Sequence, residues 1–180
     1  MDQRSVRWQD DAVLSAIYAY WDAKRAGRPM PSRRDIDPVE LGPSVIPHVL
    51  LTEAQTEDGR VRFRFRLAGT ALKESLGLDI TNRYVDVLNP NKAYAAYVEG
   101  LYGKAIEARR PVFASSMAMT LDAVSRRLTR RMICPLSNDG VAVTMFLCGQ
   151  TFQAFGAEPP PTMTYADRFD PGIVEVVSGP

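Results

Sequence analysis

The chain has 180 residues, 46% of them hydrophobic and 24% charged, with a formal net charge of +1. That is the size and composition of one folded domain with extensions, and the charge balance argues against a general nucleic-acid binder, which carries a clear basic excess. No apolar run approaches the roughly 20 residues that cross a bilayer. The N-terminal stretch lacks the apolar segment of a secretory signal. The two cysteines, Cys134 and Cys148, sit in apolar runs and form no disulfide framework. The expectation is a cytoplasmic protein with buried, reduced thiols, no membrane contact and no nucleic-acid partner.

The first element in chain order is a helix. Asp10 or Asp11 supplies its cap, and Leu14, Ile17, Tyr18 and Trp21 recur at helical spacing, with Val13 and Tyr20 widening the stripe. Lys24 and Arg25 fall in the last turn, where cations suit the dipole, and Gly27 and Pro29 end it. Such a stripe has to be buried, either on the chain's own sheet or on a second copy of the chain. Three prolines between 29 and 38 then forbid a long helix. Asp37-Pro38 reads as the cap and first position of a short turn through Leu41. Strands near 48–56 and 60–68 are joined through Asp58-Gly59 as a hairpin. In the second of them Arg60, Arg62, Arg64 and Arg66 alternate with Val61, Phe63, Phe65 and Leu67, so Phe63 and Phe65 point inward and the other face is arginine.

Gly69-Thr70 opens a short helix to Leu76, closed by Gly77. Loops and single turns fill Asp79 to Asn89. A longer helix starts at Pro90 or Asn91, buries Tyr94, Tyr97, Val98, Leu101, Ala105 and Ile106, and ends before Pro111. Gly100 and Gly103 lie inside it, positions that can admit the close approach of another backbone or a ligand. Strands follow near 112–121, 127–136 and 141–152, the last two joined through Asn138-Asp139-Gly140. The organisation is an N-terminal helix over 1–28, a sheet-and-helix domain over 29–155, and a proline-rich tail over 156–180, extended or disordered. The fold class is α+β: a five-stranded antiparallel sheet with helices on one face plus the N-terminal helix, its hairpin and three-strand meander joined by a long crossover.

This order is similar to the PAS fold, and the motifs resemble the bacterial PAS_5 family. The resemblance rests on Tyr20-Trp21, Gly27-Arg28 before Pro31, Arg34-Asp35-Ile36-Asp37-Pro38 with Glu40-Leu41, Arg64-Phe65-Arg66-Leu67-Ala68-Gly69-Thr70, Leu76-Gly77-Leu78-Asp79-Ile80-Thr81, and Pro135-Leu136 before the final strand. It covers about Val13 to Phe152. Asn82 stands where the family usually carries glycine, and Arg131 or Met132 where it usually carries an acid. The resemblance implies a cytoplasmic PAS-like sensory or interaction module over 29–155, and no catalytic residue. Because PAS domains commonly dimerise through an N-terminal helix, it also favours a homodimer with Leu14, Ile17, Tyr18 and Trp21 at the interface, beside an unidentified signalling partner.

Cofactor chemistry finds little to use. His48 is the only histidine, lies before a strand, and is absent from the long helix where a haem-binding PAS domain carries its axial ligand. Cys134 and Cys148 fall on strands, away from the short helix that holds a flavin-reactive cysteine. Haem, flavin and metal are therefore not expected, and no cofactor is assigned. Asp35 and Asp37 read as an ion pair with Arg33 or Arg34 and a helix cap, ahead of a cation site or paired acid–base carboxylates. No Ser-His-Asp set, dinucleotide fingerprint or phosphate loop is present, so an enzyme is not expected.

Two surfaces remain. The arginine strand is either a solvated face or a contact for an acidic partner through Arg62 and Arg64, with Arg126, Arg127, Arg130 and Arg131 adding to it from a neighbouring strand. A cavity between sheet and helices has Phe65, Tyr84, Tyr97, Leu101, Met117, Met119, Met132 and Met145 as candidate lining, against plain core packing. The functional expectation is a sensory module that binds a small molecule there and signals through a dimer or partner interface. The alternative is a ligand-free interaction adaptor.

Overall fold

Asp11 starts the first helix. Its carboxylate accepts the backbone N–H groups of Val13 and Leu14, both at 3.2 Å, and α1 runs from Ala12 to Arg25 before Ala26 turns left-handed. The chain is described by a computed structural model over residues 7–89, 91–119, 125–156 and 168–178. The proline-rich stretch after α1 forms only 3-10 turns, at Arg33–Asp35, Pro38–Leu41 and Ile46–His48. Asp37 caps the second of these through the Val39 amide at 3.0 Å. Asp35 pairs with Arg28 at 2.8 Å, instead of Arg33 or Arg34.

Then come β1 (Val49–Glu57), β2 (Arg60–Ala68), α2 (Thr70–Leu76), α3 (Val85–Leu88), α4 (Lys92–Ala108), β3 (Val112–Met119), β4 (Ser125–Leu136), β5 (Met145–Gly156) and β6 (Arg168–Val176). All strand pairs are antiparallel, in the spatial order β2-β1-β5-β4-β3-β6. The hairpin, the meander and the long crossover are as the sequence predicts. Positions 120 and 121 of the expected third strand, and Pro90 as a helix start, lie outside the described residues; Asn91 caps α4 through the Tyr94 amide.

The β4–β5 connection is wider than a tight hairpin. The Asp139 carboxylate accepts the amides of Val141 and Ala142, both at 2.8 Å, and the Ser137 hydroxyl at 2.9 Å, which holds an open loop and delays β5 to Met145.

The five-strand expectation needs correction. Part of the 156–180 tail is a sixth strand: β6 pairs with β3 from Val112↔Val176 to Met119↔Arg168. Pro171 and Gly172 fall in its register shift, on a sheet edge where a missing N–H is tolerated. Residues 157–167 of the tail lie outside the described residues.

The molecule has three layers. On the inner face α2, α3 and α4 cover Leu50, Phe63, Phe65, Ile133, Phe146 and Cys148. On the outer face α1 covers Val49, Leu51, Phe113, Met132, Cys134 and Leu147. Gly149 admits α1: a Cβ there would lie 2.3 Å from Ile17 Cδ1 and 3.1 Å from Leu14 Cδ2. The Trp21 indole N–H donates to the Pro135 carbonyl at 2.8 Å. Leu14, Ile17 and Trp21 are thus buried on the chain's own sheet, which corrects the expectation that a second chain covers them. Tyr18 is only half-buried, with its ring 4.6 Å from that of Trp8.

Candidate functional site

The long helix α4 presents Tyr94, Val98, Leu101, Tyr102 and Ala105 as one buried stripe toward the inner sheet face. The stripe does not seal against the sheet everywhere. Beside it a partly enclosed cavity of about 50 Å³ remains, room for roughly three waters or a small organic group. Phe65, Leu76, Leu78, Ile80, Leu88 and Val98 form its apolar wall. Asn89, Tyr94, Tyr102, Arg131 and Gln150 supply its polar part. Arg131 and Gln150 stand opposite each other in the β4–β5 register and so project from the same face.

Arg131 is 8% exposed. Its Nη1 donates to Ser116 Oγ at 3.1 Å and its Nη2 donates to the Tyr94 hydroxyl. The Tyr94 ring packs edge-on against Phe169 of β6 at 5.2 Å, and the neighbouring Tyr97 hydroxyl donates to the Pro171 carbonyl at 3.1 Å. Tyr102 sits deeper, 3.1 Å from Thr52 Oγ1, and burial pushes its phenol well above the ordinary value. Asn89 donates to the Val85 carbonyl at 2.8 Å.

Of the eight residues read from sequence as cavity lining, Phe65 alone lines this cavity. Leu101 is solid core. Tyr97 flanks the site, half-buried against β6. Tyr84 lies outside it, with the Arg62 guanidinium 3.9 Å over its ring and its hydroxyl 2.7 Å from both Gln55 Oε1 and Glu57 Oε1. Met132 and Met145 pack with α1 on the opposite face. Met117 and Met119 alternate with Ser116, whose hydroxyl meets Arg131 on the inner face, so they face the α1 side as well. Arg131, Gln150, Tyr94 and Tyr102 were missed as site residues.

The arginine face of β2 is paired within the chain. Arg60 meets Glu99 at 3.2 Å, Arg62 meets Glu57 at 2.7 Å and Asp86 at 2.9 Å, and Arg64 meets Glu53 at 3.2 Å. Phe63 and Phe65 do point inward. The β4 arginines do not extend this face: β1 and β5 lie between β2 and β4. Arg130 instead faces α1, 3.9 Å from Asp11. Gly100 and Gly103 are exposed, and no part of the described chain comes within 4 Å of where a Cβ would stand. His48 Nδ1 lies 3.2 Å from the Gln150 carbonyl, an ordinary polar contact. The two free cysteines are buried on opposite faces of the sheet.

An antiparallel sheet of hairpin and meander, its helical crossover laid over one face and a small cavity left between them, is the arrangement of a PAS domain. The PAS_5 PAS domain family matches residues 10–148, and the chain belongs to that family. The family is one of sensory and signalling modules, typically non-catalytic. β6 lies beyond the matched region. No curated protein matches the chain. Asn82, where the family usually carries glycine, keeps the left-handed turn with a φ of 64°. Among the described residues no helix is long and apolar enough to cross a membrane.

Proposed function

We propose that the chain is a sensory module that takes a small molecule into the cavity between sheet and helices and passes the signal to a partner protein or a second copy of itself. The observation that carries this reading is the cavity itself: an apolar wall from β2, α2, α3 and α4 over a polar floor from β4 and β5, the mixture by which small-molecule sites combine burial with orientation.

The route of output follows from the alternation of β4. Arg131 faces the cavity, while its neighbours Arg130 and Met132 face α1, the first near Asp11 at its cap and the second in its core. Movement of β4 on ligand binding therefore reaches α1. Its outer flank, with the half-buried Trp8–Tyr18 pair, is the proposed seat of a twofold or partner contact.

Filling the cavity tests the reading. Val98→Trp places an indole where a ligand would sit. Small-molecule fractions from the host should raise the melting temperature of the unaltered protein and leave that of the folded variant unchanged. An equal rise in both would place any binding elsewhere.

A further inference from the structure

We infer that the ligand of this cavity is an organic monocarboxylate, its carboxylate seated on Arg131 and its acyl or aryl body on the apolar wall. The inference rests on the proposed reading of the cavity as a ligand site.

Arg131 is a buried cation without an anion. Its guanidinium stays charged under all ordinary conditions, and a buried charge is stable only when paired or fully hydrogen-bonded. Other arginines of the described chain have carboxylate partners: Arg25, Arg28, Arg60, Arg62, Arg64 and Arg66 do, and so does the adjacent Arg130. Among the described residues no carboxylate lies within ion-pair distance of Arg131. It meets two neutral hydroxyls, of Ser116 and Tyr94, which take two of the five N–H groups a guanidinium carries.

The surroundings narrow the class. Arg131 lines the cavity, and no second cation does. One planar fork suits the two oxygens of a carboxylate, whereas a doubly charged phosphate calls for more positive charge than this site holds. Gln150, directly across the β4–β5 pair, lines the same floor, and its side-chain amide makes no hydrogen bond within the described chain. It is available to a carboxylate oxygen. The wall of Phe65, Leu76, Ile80 and Val98 accepts hydrocarbon.

The test compares hexanoate and benzoate with hexanamide and benzamide, shape-matched and uncharged, by amide chemical shifts of the full chain up to about 10 mM, the range of weak ligands. The carboxylates are expected to shift the Tyr94, Val98 and Gln150 signals and to bind at least about tenfold more tightly than their amides, the worth of one charge-assisted contact. Arg131→Gln should remove that preference, and Arg131→Lys should keep part of it. If the glutamine variant does not fold, the acid-against-amide comparison on the unaltered protein still decides. Amides that bind as tightly as acids would overturn the carboxylate inference and leave the ligand site standing. No binding by any of the four probes would overturn the inference as well, and the sensory reading would then be decided by the masses carried by the purified protein.

Discussion

The Trp21 indole N–H donates to the Pro135 carbonyl at 2.8 Å, across a contact in which both Trp21 and Ile17 are buried within one chain. That bond ties the end of α1 to the end of β4 and makes the helix part of the domain's own core. Trp21→Phe is expected to lower unfolding stability by about 1–3 kcal/mol, the range for leaving one buried polar group without its partner. Ile17→Glu should yield unfolded protein, because it buries a carboxylate in an apolar cluster. Trp8→Glu with Tyr18→Glu, on the outer flank, should leave a folded chain and, where the proposed twofold contact forms, weaken it at tens of micromolar, as read by sedimentation. A folded, monomeric Ile17→Glu would contradict the placement of α1.

Gly149 faces Ile17. An added Cβ falls 2.3 Å from Ile17 Cδ1, and that side chain is fully buried. Gly149→Ala should therefore cost about 1–3 kcal/mol through overpacking. Ile17→Val removes the clashing methyl, so the double variant should be more stable than the two single losses predict, by about 0.5 kcal/mol or more. Strict additivity in denaturant melts would show that the two residues do not meet.

Gly100 and Gly103 make the opposite case. Both lie in the interior of α4 on its exposed side, with open space where a Cβ would stand. Alanine at either position should raise stability by about 0.5–1 kcal/mol, because it restricts the unfolded chain and is the better helix former. Urea midpoints should rise without a change in slope. A loss of stability would mean that something packs on this face.

Burial pushes the Cys148 thiol up to about 12 and the Cys134 thiol well above its ordinary value. A thiol that keeps its proton longer in the fold than in the unfolded chain contributes stability that is complete below its unfolded pKa of about 8.5 and is lost as pH rises toward the folded value. The native protein at pH 8 should resist iodoacetamide, which reacts with thiolates, and label fully in denaturant. Stability should begin to fall above about pH 9. Rapid labelling of either cysteine in the native state would contradict this.

Period and turn chemistry made the fold legible. The Arg–Phe alternation of β2 placed Phe63 and Phe65 correctly, and Asp58-Gly59 marked its hairpin, with both residues at positive φ. The site was mostly illegible. A reading with helices on a single face takes Met117, Met119, Met132 and Met145 as cavity lining, whereas α1 covers the opposite face. The continuous run Phe146-Leu147-Cys148 was the available signal, since a strand apolar at successive positions is covered on both faces. Arg131 reads as part of a surface patch because arginine is usually outside. One hint points inward: Arg131 directly precedes the apolar run Met132-Ile133-Cys134 and shares a period-two face with Ile133, in what proves to be a central strand. β6 could not be read, because Pro171-Gly172 interrupts its period and its side chains are largely exposed.

Sensing by this domain requires that the cavity beneath α4 hold a small molecule. Native mass spectrometry of the full chain purified from its own host tests it most directly. The expected result is a species heavier than the 180-residue chain by the mass of one small acid, released by denaturation and absent from Val98→Trp. A single peak at the mass of the bare chain, unchanged by Val98→Trp, would contradict it and make the domain a ligand-free adaptor.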